Sequence, residues 1–399
     1  MSLVSMIKHF LLVAAPVIAT QFSIIVGSFI AVTLTGQYST IDLAAIGVGY
    51  NLWVAAFFGL SGILLGVTPI ISHALGAKKT ESVAATMWQN IYLGLAFASV
   101  LILATLLGLS PLLDLLGLEP AAKSVCIQYM NAMCVAFPAM MIMSGFRYIV
   151  DAHGNTRYSL YIIGSSVLFQ SIFNILFIQG YGPIPALGGF GAGISTAIAY
   201  WYMMLCFLWL ITFHKNFKHY RFWSSFTGPS WILIRDQLAL GIPIGLSIFA
   251  EISIFSAAGI AMTKFGTEII AAHQAASSFL GLTFSFPLSL SMAATIVIAY
   301  ELGAKRYQNA ITYTWITRGV AAFTHIDFLA SLYTKEDHMI PLIESFISYA
   351  VFFTIIDAVG TPLQGVLRAY RDVTSVSIIT IGTYWGVTVP VAYLCYLFT

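Results

Sequence analysis

The chain has 399 residues, of which 59% are hydrophobic and 8% charged, and its formal net charge is +2. An ordinary soluble domain is about 25% charged, so a soluble globular protein is excluded, and so small a net charge predicts no nucleic-acid partner. Apolar runs long enough to cross about 30 Å of hydrocarbon recur along the whole sequence, which makes the class an all-α polytopic membrane protein.

Taken in chain order, the first run follows "MSLVSMIKHF" and continues to about Leu34 without a small-residue cleavage site. It reads as a spanning helix over 7–34 rather than a signal peptide. Further spans are predicted over 47–72, 87–109, 124–147, 158–179, 187–213, 238–262, 273–300, 311–333, 340–367 and 376–398. The turns after the even-numbered spans carry twelve Lys and Arg residues, among them Lys78, Arg157, Lys215, Lys305 and Arg371. The turns after the odd-numbered spans carry three, Lys123, Lys264 and Lys335. This asymmetry places the even turns and the N-terminus in the cytoplasm. Cys126, Cys134, Cys206 and Cys395 lie scattered in apolar runs with no CxxC pair, and read as unpaired thiols.

The sequence contains itself once. "LGAK" at Leu75–Lys78 recurs at Leu302–Lys305, and the same offset carries Pro16 onto Pro243 and Ala44 onto Ala271. Without a gap from Pro16 to Lys79, 14 of 64 positions are identical. Further on, Arg147 and Asp151 fall against Arg368 and Asp372 at a slightly smaller offset. The repeat unit is six spans, an even number, so both units share one orientation, as in transporters built of two parallel halves. The expected division is residues 1–220 and 221–399. On this count about 11 of 12 helices are present: the counterpart of the sixth span is missing from the second unit, and the ninth span is shortened. The ninth also holds Arg318, His325 and Asp327. These are read as the scar of a deletion that joined a helix start to a helix end, in preference to a buried ion pair.

Two acids fall in the middle of apolar spans, Glu251 in "IFAEISIF" and Asp357 in "FFTIIDAVG". A carboxylate there costs about 2.5–3.5 kcal/mol on insertion scales. The first unit has Ile24 and about Ala136 at the matching positions, so the acids belong to the second unit alone. No Lys or Arg other than Arg318 is expected at their depth. They are read as exchanging a proton or binding Na⁺, in preference to the alternative of permanently protonated, hydrogen-bonded side chains. Gln170 and Asn174 share a helix face, and Gln21, Asn51, Gln274 and Ser278 are further polar groups inside spans. Each is more often an interhelical hydrogen bond than a ligand contact. The Gly-rich "ALGGFGAGISTA" lacks the lysine of a phosphate loop and opens a membrane helix. No HExxH, GxSxG or nucleophile–base pair is present, so an enzyme is not expected.

Several stretches together, "LAAIGVG", "TPIISHALGAKK", "LGGFGAGISTAIAYW", "IIAAHQAASSF" and "GVLRAYRD", resemble the multidrug and toxic compound extrusion (MATE) transporters, most of all their NorM-type bacterial branch. The resemblance runs from about Leu11 to the last residue. It implies two six-helix lobes forming a V in the bacterial inner membrane, and efflux of small organic cations and drugs driven by Na⁺ or H⁺, with no other cofactor. It also implies that Glu251 and Asp357 are the ion-coupling residues, and the Na⁺ ligands if sodium is the ion. A tyrosine that joins this site in the family falls on Phe353 here, and the family's aspartate of the first helix falls on Ala31. A truncated, inactive or partner-dependent relative, and a flippase of lipid-linked sugars, stand as alternatives. The oligomeric state stays open, with a monomer as the working expectation.

Overall fold

The computed structural model describes residues 2–115, 120–261, 267–332 and 360–391, with backbone only for 258–261, 267–283 and 321–332. The described helices are α1 (Leu3–Tyr38), α2 (Thr40–Leu65), α3 (Val67–Gly76), α4 (Glu81–Leu115), α5 (Pro120–Ala152), α6 (Thr156–Asn174), α7 (Gly188–Phe213), α8 (Trp231–Ala261), α9 (Thr267–Gly303), α10 (Tyr307–Leu332) and α11 (Val373–Ile381). Residues 360–369 are helical as well. Eight of the described helices are long and apolar enough to span a membrane, α2 and α3 counting as one. α8 is therefore the seventh span of the sequence. The π-turns Ile175–Gly180 and Gly382–Thr388 continue α6 and α11.

Local chemistry sets the helix ends. Ser39 caps α2 by accepting from the Asp42 N–H at 3.2 Å, and Asp372 caps α11 by accepting from Ser375 at 3.3 Å. The Gly-rich stretch does open a membrane helix. Gly189 at the start of α7 donates its N–H to the Asp42 carboxylate at 2.6 Å, where a carboxylate also suits the positive end of the helix.

The internal repeat extends to fine detail. Thr20 donates to the Pro16 carbonyl at 2.7 Å in α1, and Ser247 donates to the Pro243 carbonyl at 2.8 Å in α8. Lys78 and Lys305 each end their helix in the left-handed region with φ of 58°. Gly154 (φ 72°) and Arg371 (φ 64°) repeat that turn after α5 and after residues 360–369. Their N–H groups bond back to Asp151 and Arg368 respectively. By turn geometry Asp151 therefore corresponds to Arg368, whereas the ungapped sequence comparison sets Arg147 against Arg368. The sequence comparison misses a four-residue difference in length just before the turn.

The two halves meet along α2 with α8, α1 with α9, and α3 with α9. The repeat carries the first of these contacts onto the second, so a pseudo-twofold axis passes where α3 crosses α9. Small residues let the backbones approach. A Cβ on Gly66 would lie 2.8 Å from the Gly241 Cα, and one on Gly62 2.9 Å from the Gly245 Cα. On the axis, a Cβ on Gly76 would overlap the Tyr300 carbonyl, and one on Gly303 the His73 carbonyl. The tight seam lies at the end of the bundle that bears Lys78 and Lys305.

Candidate functional site

Glu251 lies in α8 and is 8% exposed. Trp385, in the π-turn after α11, donates its indole N–H to the Ala250 carbonyl at 3.2 Å and to Ser253 Oγ at 3.3 Å. It thus fixes the helical turn that carries Glu251. A single extra residue in a π-turn re-aims the side chains around it, which is why such turns concentrate at functional sites.

Arg368 is buried, and the charge of Glu251 acts on it. Arg368 is thus a base within electrostatic reach of Glu251. Arg368 Nη2 donates to Gln364 Oε1 at 3.1 Å, while its Nε has no hydrogen-bond partner among the described residues. Arg318 is exposed, with its guanidinium 5.0 Å from the centre of the Trp315 ring. The side chain of Asp327 lies outside the described residues.

Across the seam from Arg368, the first half presents a second buried cluster. Arg147 Nη2 donates to Gln21 Oε1 at 3.1 Å, and Arg147 Nε lies 3.6 Å from Asp151 Oδ2. Ser159 donates to Asp151 Oδ1 at 2.6 Å. Tyr148 and Ser61 share a hydrogen bond of 2.8 Å. A cavity of about 10 Å³ separates Thr68, Tyr148 and Asp151 on one side from Met292, Thr295 and Arg368 on the other. Asp151 and Arg368 therefore line one cavity from opposite halves, with Arg147 beside Asp151 and Arg368 within electrostatic reach of Glu251.

The other residues singled out from sequence divide into three groups. Gln21 joins the Arg147 cluster as an interhelical bond, and Gln170 donates to Thr196 Oγ1 at 3.3 Å, tying α6 to α7. Asn174 is buried with neither amide atom paired among the described residues, directly before the π-turn of α6, and Asn51 is half-buried in α2. Asp357 and Phe353 lie outside the described residues, as do the side chains of Gln274 and Ser278. Cys126, Cys134 and Cys206 are free thiols, and Cys395 is outside the described residues.

Sequence reasoning missed Arg368 and Trp385. Arg368 stands at the end of a predicted span, where a cation ordinarily faces water. The signal that could have found it is its place in "GVLRAYRD", one of the stretches that carry the family resemblance. Trp385 was one aromatic among many in an apolar run.

The MatE family profile matches residues 16–176 and 243–394. A relative from Oceanobacillus iheyensis, described as "Probable multidrug resistance protein NorM", is 36% identical over 97% of this chain and 89% of its own length. A protein of the same description from Streptococcus pneumoniae is 37% identical over 96% of this chain and 87% of its own. Among solved structures, the eukaryotic MATE transporter AtDTX14 superposes with a TM-score of 0.84 at 17% identity, covering 98% of this chain and 89% of that one. A point mutant of the Vibrio cholerae MATE transporter VcmN does so at 0.82 and 20%, covering 98% and 90%. The two matched segments bracket the two halves of the repeat, and with relatives above one-third identity over nearly the whole chain, this protein belongs to the MATE family of membrane transporters, in its NorM-type branch.

Proposed function

We propose that this protein is a cation-coupled antiporter that exports organic cations and drugs across the bacterial plasma membrane. In this reading it acts as a monomer with a cytoplasmic N-terminus and two lobes, 1–220 and 221–399. Relatives described as multidrug resistance proteins support the substrate class. The observation that carries the mechanism is Glu251: a carboxylate 8% exposed within an apolar helix that packs on the other half, and in the field of Arg368.

A buried carboxylate is costly unless a counter-charge neutralises it. Arg368 supplies part of that charge. A proton or Na⁺ arriving at Glu251, with Asp357 as its partner, competes for the same role. Cation binding then changes how strongly Glu251 holds Arg368, and Arg368 borders the seam. An ion bound to one seam arrangement more tightly than to the other shifts the balance between them, and substrate shifts it back by reciprocal coupling. The close-packed glycines of α2 and α8 allow the tight arrangement in which one end of the bundle is shut.

Ethidium retention in bacteria lacking their major efflux pumps tests this reading. The wild-type chain is expected to lower retention on energisation, and Glu251→Gln at matched membrane levels to abolish that effect. Unimpaired pumping by Glu251→Gln overturns the assignment.

A further inference from the structure

On the outer face of the first half, α6 and α7 diverge to leave a groove of about 400 Å³, lined by Tyr158, Tyr161, Tyr202, Leu205, Cys206 and Trp209 among others. Tyr161, Leu205 and Trp209 are 66%, 55% and 60% exposed, so this wall faces outward. None of the described residues discussed for ion coupling borders it.

Two of the four rings that line the groove have their hydroxyl tips engaged. Tyr158 Oη is bonded to His214 Nε2 at 3.1 Å, and Tyr202 Oη to Ser165 Oγ at 3.0 Å. Tyr202 also stacks on Phe169 with ring centres 4.4 Å apart. Most of the remaining lining is ring face and aliphatic surface. From Tyr202 to Leu210 the groove follows α7 for about 12 Å, a length suited to the upper part of an acyl chain.

The mouth has the opposite character. The start of α6 and the end of α7 are knitted together by the Tyr158–His214 bond and by Asn216 Nδ2 donating to Asn155 Oδ1 at 3.4 Å. Arg157 and Lys215 are next in sequence to Tyr158 and His214 of that joint, and both are exposed. An aromatic slot that ends at a joint whose sequence neighbours are two exposed cations has the chemistry of an anionic-lipid site. The slot alone would also suit an organic cation through its ring faces. The two positive charges at the entrance oppose that occupant and favour a phosphate.

We propose that this groove is a binding site for one anionic glycerophospholipid, its acyl chain along Tyr161, Tyr202, Leu205 and Trp209 and its phosphate between Arg157 and Lys215. The site belongs to the leaflet that faces the Lys- and Arg-rich turns. Its cargo is structural lipid and not the exported substrate.

Quenching of Trp209 fluorescence by brominated lipids tests it, on the full chain in phosphatidylcholine nanodiscs. The Trp209 signal is obtained as the difference between wild type and Trp209→Phe. Each nearby cation strengthens binding of an anionic surface by about fivefold. Brominated phosphatidylglycerol is therefore expected to quench at roughly five- to thirtyfold lower mole fraction than brominated phosphatidylcholine with the same chains. The Arg157→Gln/Lys215→Gln variant, altered only at exposed positions, is expected to bring the two lipids to parity. Leu205→Trp, which fills the slot, is expected to weaken quenching by both lipids at Trp209. Equal quenching by the two lipids in the wild type overturns the proposal. So does a preference that survives the double Gln variant, or displacement of phosphatidylglycerol by ethidium at Trp209.

Discussion

Replacing Gly66 by Ala isolates the glycine seam from ordinary folding stability. Gly66 sits between α2 and α3 with φ −54° and ψ −20°, a conformation any residue adopts. Alanine there therefore gains about 0.5–1 kcal/mol of helical preference over glycine. Against this, the new Cβ would stand 2.8 Å from the Gly241 Cα and 2.9 Å from its N. These are backbone atoms, so no side chain can swing aside. The helices must separate by about 0.6 Å to restore an ordinary contact of 3.4 Å. Overpacking of this kind costs about 1–3 kcal/mol. The helical gain is common to every arrangement of the halves, while the overlap penalises only the arrangement sealed at this end. The closed-to-open ratio is expected to fall by about five- to 150-fold, with little change in melting temperature. Pulsed electron-electron distance measurements between spin labels at Lys79→Cys and Gln308→Cys, with native cysteines replaced by serine, read that ratio directly. A second, longer distance is expected to gain population in Gly66→Ala, but not in Gly319→Ala, where a Cβ meets nothing within 4 Å. An unchanged distance distribution in Gly66→Ala would refute the idea that the Gly66–Gly241 contact holds the seal.

Other expectations follow from single contacts. Asp151→Asn leaves Arg147 a buried cation without its acid, and a loss of about 3–5 kcal/mol is expected in denaturant titration; Arg147→Met added to Asp151→Leu recovers most of it if the pair, and not packing, is responsible. Trp385→Phe keeps an aromatic ring, smaller than indole, and removes the N–H that braces Ala250 and Ser253, so ion dependence of efflux is expected to weaken while protein level holds; unchanged ion dependence excludes a positioning role. His153 is neutral between the Ile149 carbonyl, to which Nδ1–H donates at 2.7 Å, and the Tyr220 hydroxyl at 2.9 Å from Nε2, and burial lowers its pKa to about 4. Because the unfolded chain takes up that proton near pH 6.5 and the folded chain does not, stability is expected to fall by roughly 2 kcal/mol between pH 7 and 5. Thermal melts of His153→Gln should lack this component. Lys305→Gly relieves a left-handed lysine and should raise stability by about 1 kcal/mol, measured by the same melts.

The spans were legible because hydrocarbon demands long apolar runs and the turns between them collect the cations. Helix ends moved by several residues, since capping by Ser39 or Asp372 is independent of hydropathy. Glu251 was legible for the same reason in reverse, as a charge where composition forbids one. Arg368 was not, because hydropathy locates a residue along the membrane normal but says nothing of which way its side chain turns. At a helix end an arginine ordinarily reaches for water. Here the third residue before a left-handed turn points into the seam, and its counterpart Asp151 does the same from the other half. That correspondence lies in backbone geometry, and the gap that hides it in the sequence disappears only when the turns are superposed.

Where α3 crosses α9, two backbone oxygens each serve twice. The His73 carbonyl accepts the Ala77 N–H at 2.9 Å, and the Tyr300 carbonyl accepts the Ala304 N–H at 3.0 Å, closing the last turn of each helix. The same two oxygens are the surfaces against which Gly303 and Gly76 rest. Unwinding either helix end by a single residue would therefore withdraw the surface on which the opposite half is seated. Helix length and the spacing of the halves become one mechanical variable, so a force or ligand acting on the exposed Lys78 or Lys305 turn has leverage over the opening of the whole molecule.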